Sequence, residues 1–137
     1  ISVLPAARAL HATGAVHAMH DPTEGGVVTA LDELAEAAGV GLRVDLAAIP
    51  ILPECRIICR ALALEPLGLL ASGALLATLE PAEAPAALER LRAAGLTAAM
   101  IGEVVPCGEG RTFIEGGAPR SLPVFARDEL ARYLETR

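Results

Sequence analysis

The stretch His20-Asp21-Pro22-Thr23-Glu24-Gly25-Gly26-Val27 decides how this chain reads. A β-prone run, Ala15 to Met19, enters it. An amphipathic helix pattern, Val27 to Ala38, leaves it. A strand, a glycine-bearing turn and a helix start together aim backbone N–H groups at an anion. Pro22 biases Asp21 away from helical angles, so the strand is expected to stop there. Asp21 or Thr23 is expected to cap the first free N–H groups of the helix. Gly25 and Gly26 permit backbone angles and close approach that a Cβ would forbid. Glu24 suits the positive end of a helix dipole but repels a bound phosphate. The same residues also read as an ordinary capped turn, because short glycine motifs often match by chance.

Working outward, Leu4 to Thr13 reads as a helix with Pro5 in its first turn and Gly14 as its stop. Ala15 to His20 is the first strand. His17 and His20 lie three apart on it and so face opposite sides, and the two could share a metal ion with Asp21 only if the strand bends. In the following helix Val27, Leu31, Leu34, Ala35 and Ala38 form the apolar stripe. Gly39 and Gly41 end it. Leu42 to Leu46 alternates as a half-buried strand does. Pro53 begins a third helix, Glu54 to Leu62, with Cys55, Ile58, Cys59 and Leu62 expected on one face.

Leu67 to Ala71 and Ala74 to Leu79 are two apolar β-like runs flanking a Ser72-Gly73 step. That step reads either as part of a site or as a sharp turn between strands. A helix is expected over Pro81 to Ala94, with Ala87, Leu88 and Leu91 inward. Strands are expected at Ala98 to Val105 and Thr112 to Ile114, joined as a hairpin through Gly108-Glu109-Gly110. Asp128 to Leu134 closes the chain as a helix. The expected fold class is α+β, a mixed β-sheet covered by helices.

Composition narrows the function classes. The 137 residues fit one domain, 53% hydrophobic but only 2% aromatic, so the core must be aliphatic. A net charge of -6, with no Trp, one Tyr and two Phe, argues against a nucleic-acid partner. Charges or prolines interrupt every apolar run, so no membrane span is expected. Three cysteines give no disulfide framework. Cys55 and Cys59 read as buried, metal-free apolar thiols. Cys107 sits in a Pro-Cys-Gly turn with no basic neighbour in sequence to activate it. A cytoplasmic, reducing setting fits best. The chain opens at Ile1 and no signal peptide is visible, so it is expected to be a piece of a longer protein.

The run from His20 to Leu31 resembles the opening of the C-terminal domain in the aminoimidazole ribonucleotide (AIR) synthetase superfamily, the PurM-like fold. Within that superfamily it is most similar to the hydrogenase expression/formation (HypE) branch. Gly39-Val40-Gly41-Leu42, Ile49-Pro50, Leu64-Glu65-Pro66-Leu67, Leu70 to Leu76 and Ile101-Gly102-Glu103-Val104 carry the same resemblance. It spans roughly Leu4 to Leu134. It implies a single AIR synthase-related C-terminal domain over residues 1–137, partly ferredoxin-like. The ATP-binding N-terminal domain of the family would be absent from this stretch.

The resemblance further implies ATP and magnesium in the full-length protein, with none bound by this domain alone. It also implies a homodimer, contact with the protein's own N-terminal domain, and a maturation-protein partner. The cleft residues it points to are Asp21, Thr23, Gly25, Gly26, Ser72 and Gly73. It assigns no catalytic residue and no metal ligand. The implied function is the substrate side of an ATP-dependent enzyme that activates a small amide or carbamoyl-type group. The alternative is a non-catalytic dimerisation or small-ligand-binding module. Two departures stand out. The chain ends Leu134-Glu135-Thr136-Arg137, without the cysteine on which the HypE branch builds its thiocyanate, and Glu24 stands where many relatives carry a basic residue.

Overall fold

Among the described residues five α-helices form. The structure, a computed structural model, describes residues 2–121, 125 and 127–135. The helices are α1 (Leu4–His11), α2 (Gly26–Ala38), α3 (Pro53–Leu62), α4 (Ala84–Ala93) and α5 (Glu129–Glu135). Prolines begin α1, α3 and α4, where a missing N–H costs nothing. The strands are β1 (Val16–His20), β2 (Gly41–Asp45), β3 (Leu76–Leu79), β4 (Gly102–Val105), β5 (Arg111–Glu115) and β6 (Ala118–Arg120).

The strands divide between two sheets. Four form a mixed sheet in the order β4-β2-β5-β6, and β1 pairs with β3 in an antiparallel ribbon. In the mixed sheet β2 runs antiparallel to β4 and parallel to β5. Helix α2 lays Val28, Leu31 and Ala35 on Leu42, Val44 and Phe113 of that sheet, with Leu46, Ile49 and Leu67 closing the edges. Helices α1 and α4 cover the ribbon, where Leu10, Ala87 and Leu91 pack on Val16, Met19, Ala77 and Leu79. Both cores are nearly wholly aliphatic, as composition required. Each buried leucine contributes about 2 kcal/mol through apolar burial.

Three expectations need correction. The run Leu67–Ala71 is not a strand. Pro66 fixes φ and the Glu65 carboxylate accepts from Leu67 N–H at 3.4 Å, so Pro66–Gly68 forms a 3-10 turn that buries Leu67 against α2. Residues 98–101 are irregular, and only Gly102–Val105 pairs. The hairpin is also misplaced. Strands β4 and β5 do not pair with each other but flank β2 on opposite sides. Their connection crosses the end of β2, where Leu42 N–H donates to Gly110 O at 3.0 Å. The actual hairpin joins β5 to β6 through Gly116-Gly117, both at positive φ as a two-residue hairpin turn demands. Pro119 is tolerated in β6 because that strand is the sheet edge.

Helix α3 is the least covered element. It buries Cys59, while Ile57 and Ile58 are 68% and 55% exposed and Leu52, at its entry, is 72% exposed. Ile58 therefore lies off the packed face on which periodicity placed it. Among the described residues no helix is long and apolar enough to cross a membrane.

Candidate functional site

Two loops meet at the junction of ribbon and sheet. The first carries Asp21 to Gly26 between β1 and α2. The second carries residues 65–74 between α3 and β3. Pro22 is fully buried and anchors the first loop. Its other anchor is the Thr23 carbonyl, which accepts from Gly26 N–H and from Ala71 N–H, each at 3.2 Å. One carbonyl thus closes the first turn and ties it to the second loop. The residues singled out in the two stretches, Asp21, Thr23, Gly25 and Gly26 on one side and Ser72 and Gly73 on the other, are brought to one seam.

The glycines serve this contact. Gly26 has φ +69, and a Cβ there would lie 2.3 Å from Leu67 O and 2.6 Å from Leu69 O. Its missing side chain lets the two backbones touch. Gly25, at φ 75, is the N-cap of α2, and no side chain caps the helix from within the loop. Asp21 and Thr23 therefore do not cap, because the left-handed turn at Gly25 carries the chain into the helix instead. The Thr29 hydroxyl donates back to Gly25 O at 2.9 Å.

The two loop N–H groups are already bonded. Gly26 N–H goes to Thr23 O, and Gly25 N–H goes to the Asp128 carboxylate at 3.2 Å. What stays open is the rim. Asp21, Thr23, Glu24, Ser72 and Gly73 are exposed. The side chains of Asp21, Thr23, Glu24 and Ser72 make no hydrogen bond or ion pair among the described residues. Ala74 N–H donates to Ala71 O at 2.9 Å, with Gly73 at φ +101, so the Ser72-Gly73 step is also a tight turn.

Carboxylates dominate the surroundings. His20 pairs with Glu33 at 2.8 Å, and His17 with Glu80 at 3.5 Å, so the two histidines serve separate partners. Among the described residues no group of three His, Cys, Asp or Glu side chains could hold a metal ion. Asp21 and Glu24 fit a magnesium ion only as single carboxylates, with waters and phosphate oxygens completing its shell. Among the described residues no arginine pairs with either of them, and the chain has no lysine. Among the described residues the exposed seam offers carboxylate, hydroxyl and backbone groups, and no cationic side chain is paired with them.

Sequence reasoning missed the terminal helix as a neighbour of the site. Buried Glu129 accepts from Glu65 N–H at 3.0 Å and from Arg132 Nε at 2.6 Å. The Arg132 hydrogen bonds hold its carboxyl below the usual glutamate range, against the opposing effect of burial. Glu65 in turn pairs with Arg120 at 2.9 Å. An Asp-Glu opening a helix signals a cap, but nothing local shows what else those carboxylates reach. On α3, Cys55 and Cys59 approach to 3.8 Å between sulfurs. Burial, then the hydrogen bond with Cys55, pushes the Cys59 thiol up to about 11, so it stays protonated and unreactive.

The chain matches the family described as AIR synthase related protein, C-terminal domain, over residues 1–115. It belongs to that family. Carbamoyl dehydratase HypE of Cupriavidus necator is 40% identical over 102 residues, which cover 73% of this chain and 28% of that protein. Among solved structures, HypE in a HypE–HypF complex superposes with a TM-score of 0.80 at 25% identity, covering 89% of this chain and 41% of that one. HypE in complex with ATP superposes with a TM-score of 0.74 at 33% identity, covering 82% and 37%. The chain therefore spans well under half the length of these relatives. The AIR synthase-related fold accounts for the mixed sheet and ribbon.

Proposed function

We propose that this domain forms one wall of an ATP-dependent active site of the AIR synthase and HypE type, acting on a small amide or carbamoyl-type substrate. The observation that carries the proposal is the seam held by Thr23 O, which gathers exposed, unbonded Asp21, Thr23 and Ser72 side chains at the meeting of two loops. An ordinary turn needs none of those side chains. Bound ATP would supply the activating phosphoryl group. Asp21 would orient a magnesium-bound water or a substrate group, and the Thr23 and Ser72 hydroxyls would hold substrate. The cations that phosphoryl transfer requires would come from an N-terminal ATP-binding domain.

The uncovered face of α3 supports a partner of that kind. Leu52, Ile57 and Ile58 are large apolar residues left exposed on one helix and its entry, the kind of surface a partner domain would cover. A homodimer, a maturation-protein partner of the kind named in the HypE–HypF complex, and a cytoplasmic setting belong to the same proposal. The second reading is a non-catalytic dimerisation or ligand-binding module.

Asp21→Ala in the intact enzyme separates the two. Asp21 is exposed and unpaired, so its removal should change stability by less than about 0.5 kcal/mol. Turnover should fall roughly tenfold or more if Asp21 orients a reacting group. Unchanged turnover, measured beside an unchanged melting temperature, would favour the module.

A further inference from the structure

The family match ends at residue 115, yet residues beyond it reach back to the seam. Asp128 uses both carboxylate oxygens. Oδ1 accepts from Leu130 N–H at 2.8 Å and opens α5, while Oδ2 accepts from Gly25 N–H at 3.2 Å. One residue on, Glu129 accepts from Glu65 N–H at 3.0 Å. Arg132 Nη2 donates to Ala63 O at 3.3 Å. Phe125 lies against Gly68, where a ring carbon would be 2.5 Å from any Cβ. Each contact lands on a backbone polar group or a glycine of the two loops or of the turn that feeds them.

We infer that Phe125 and Asp128–Arg132 form an internal clamp, with Asp128 as the positioning residue that locks the Gly25 turn against the 63–71 connection and so fixes the spacing of Asp21, Thr23 and Ser72. Helix α5 has seven residues, too few to persist without tertiary contacts. Its order and that of the seam therefore depend on each other. Thr23 O transmits the effect, because it bonds both Gly26 and Ala71. Asp128 is two-handed for this purpose. A residue with one acceptor oxygen keeps the helix cap and releases the glycine turn. The inference rests on the loops being the rim of the cleft, but the contact itself does not.

Amide hydrogen exchange on the full chain tests it, with Asp128→Ala and Asp128→Ser. Serine remains a good N-cap but has a single side-chain oxygen to offer. The Gly25 and Ala71 amides should exchange about tenfold faster in both variants, since a charge-assisted bond is lost and the opening is local. The Leu42 amide, bonded across the mixed sheet, should keep its rate in Asp128→Ser. Unchanged exchange at Gly25 and Ala71 in Asp128→Ser, or an equal rise at Leu42, would overturn the clamp. The readout uses neither ATP nor turnover, so that failure would leave the cleft proposal to the Asp21 measurement.

Discussion

Gly26→Ala is expected to destabilise the chain by about 3 kcal/mol, a drop in melting temperature on the order of 12 °C. Two costs add. A φ of +69 is strained for any L side chain, which accounts for about 1 kcal/mol. The remainder comes from the backbone of the second loop. The new Cβ would stand 2.3 Å from Leu67 O and 2.6 Å from Leu69 O, and a carbonyl in a turn cannot swing aside like the end of a flexible side chain. Gly39→Ala is the internal control. Its φ is similar, +64, but nothing lies within 4 Å of the Cβ position, so it should cost only about 1 kcal/mol. Chemical denaturation of both variants measures the difference. Equal losses would mean that the two loops do not press together at Gly26.

Glu129→Gln should cost about 2 kcal/mol at neutral pH, and that cost should disappear in acid. The carboxylate is buried, accepts from Glu65 N–H and is paired with Arg132. Hydrogen bonds to a charged group contribute about 1.5–3 kcal/mol, and the amide keeps the shape but loses the charge. The folded-state pKa is lowered chiefly by the Arg132 hydrogen bonds. The stabilisation is therefore fully present above the unfolded glutamate value and is lost as pH falls through the folded one. The Glu65 carboxylate, paired with Arg120, and the protonated Cys59 thiol are the other titratable groups close by. The wild type should weaken below about pH 5, with Glu129→Gln flatter across the same range. A gap between the two that persists unchanged into acid would show that the loss does not come from the Glu129 charge.

The legible parts of this fold were those set by local signals. Helix α2 followed from its apolar stripe and from Gly39, and β2 from alternation at Leu42 and Val44. The aliphatic core followed from the near absence of aromatics. Pairing was not legible, because β4 and β5 both carry strand patterns and the glycines between them mimic a hairpin turn. Only the third partner, β2, separates them. The Gly116-Gly117 pair carries the stronger local hairpin signal, since both positions take positive φ, whereas Gly108-Glu109-Gly110 lies in a crossing connection. The run Leu67–Ala71 misled because a buried 3-10 turn and a strand show the same short apolar composition. In the glycine stretch, the structure requires the glycines for a different physical reason than an anion-binding turn. Gly26 is required by the neighbouring backbone, and the N–H of Gly25 is met by Asp128 from 103 residues away, which no local pattern encodes.

Phosphate release tests the proposed division of labour most directly. The 137-residue chain is assayed alone with magnesium and millimolar ATP, beside the intact protein that contains it. The rim offers Asp21, Glu24 and hydroxyls, with no paired arginine among the described residues and no lysine in the chain to spread the charge of a phosphoryl group in transfer. No phosphate release above background is expected from the chain alone, and steady, magnesium-dependent release from the intact protein. Turnover by the isolated chain at the intact protein's rate would place the catalytic centre within these residues and contradict the proposal that they form only one wall of it.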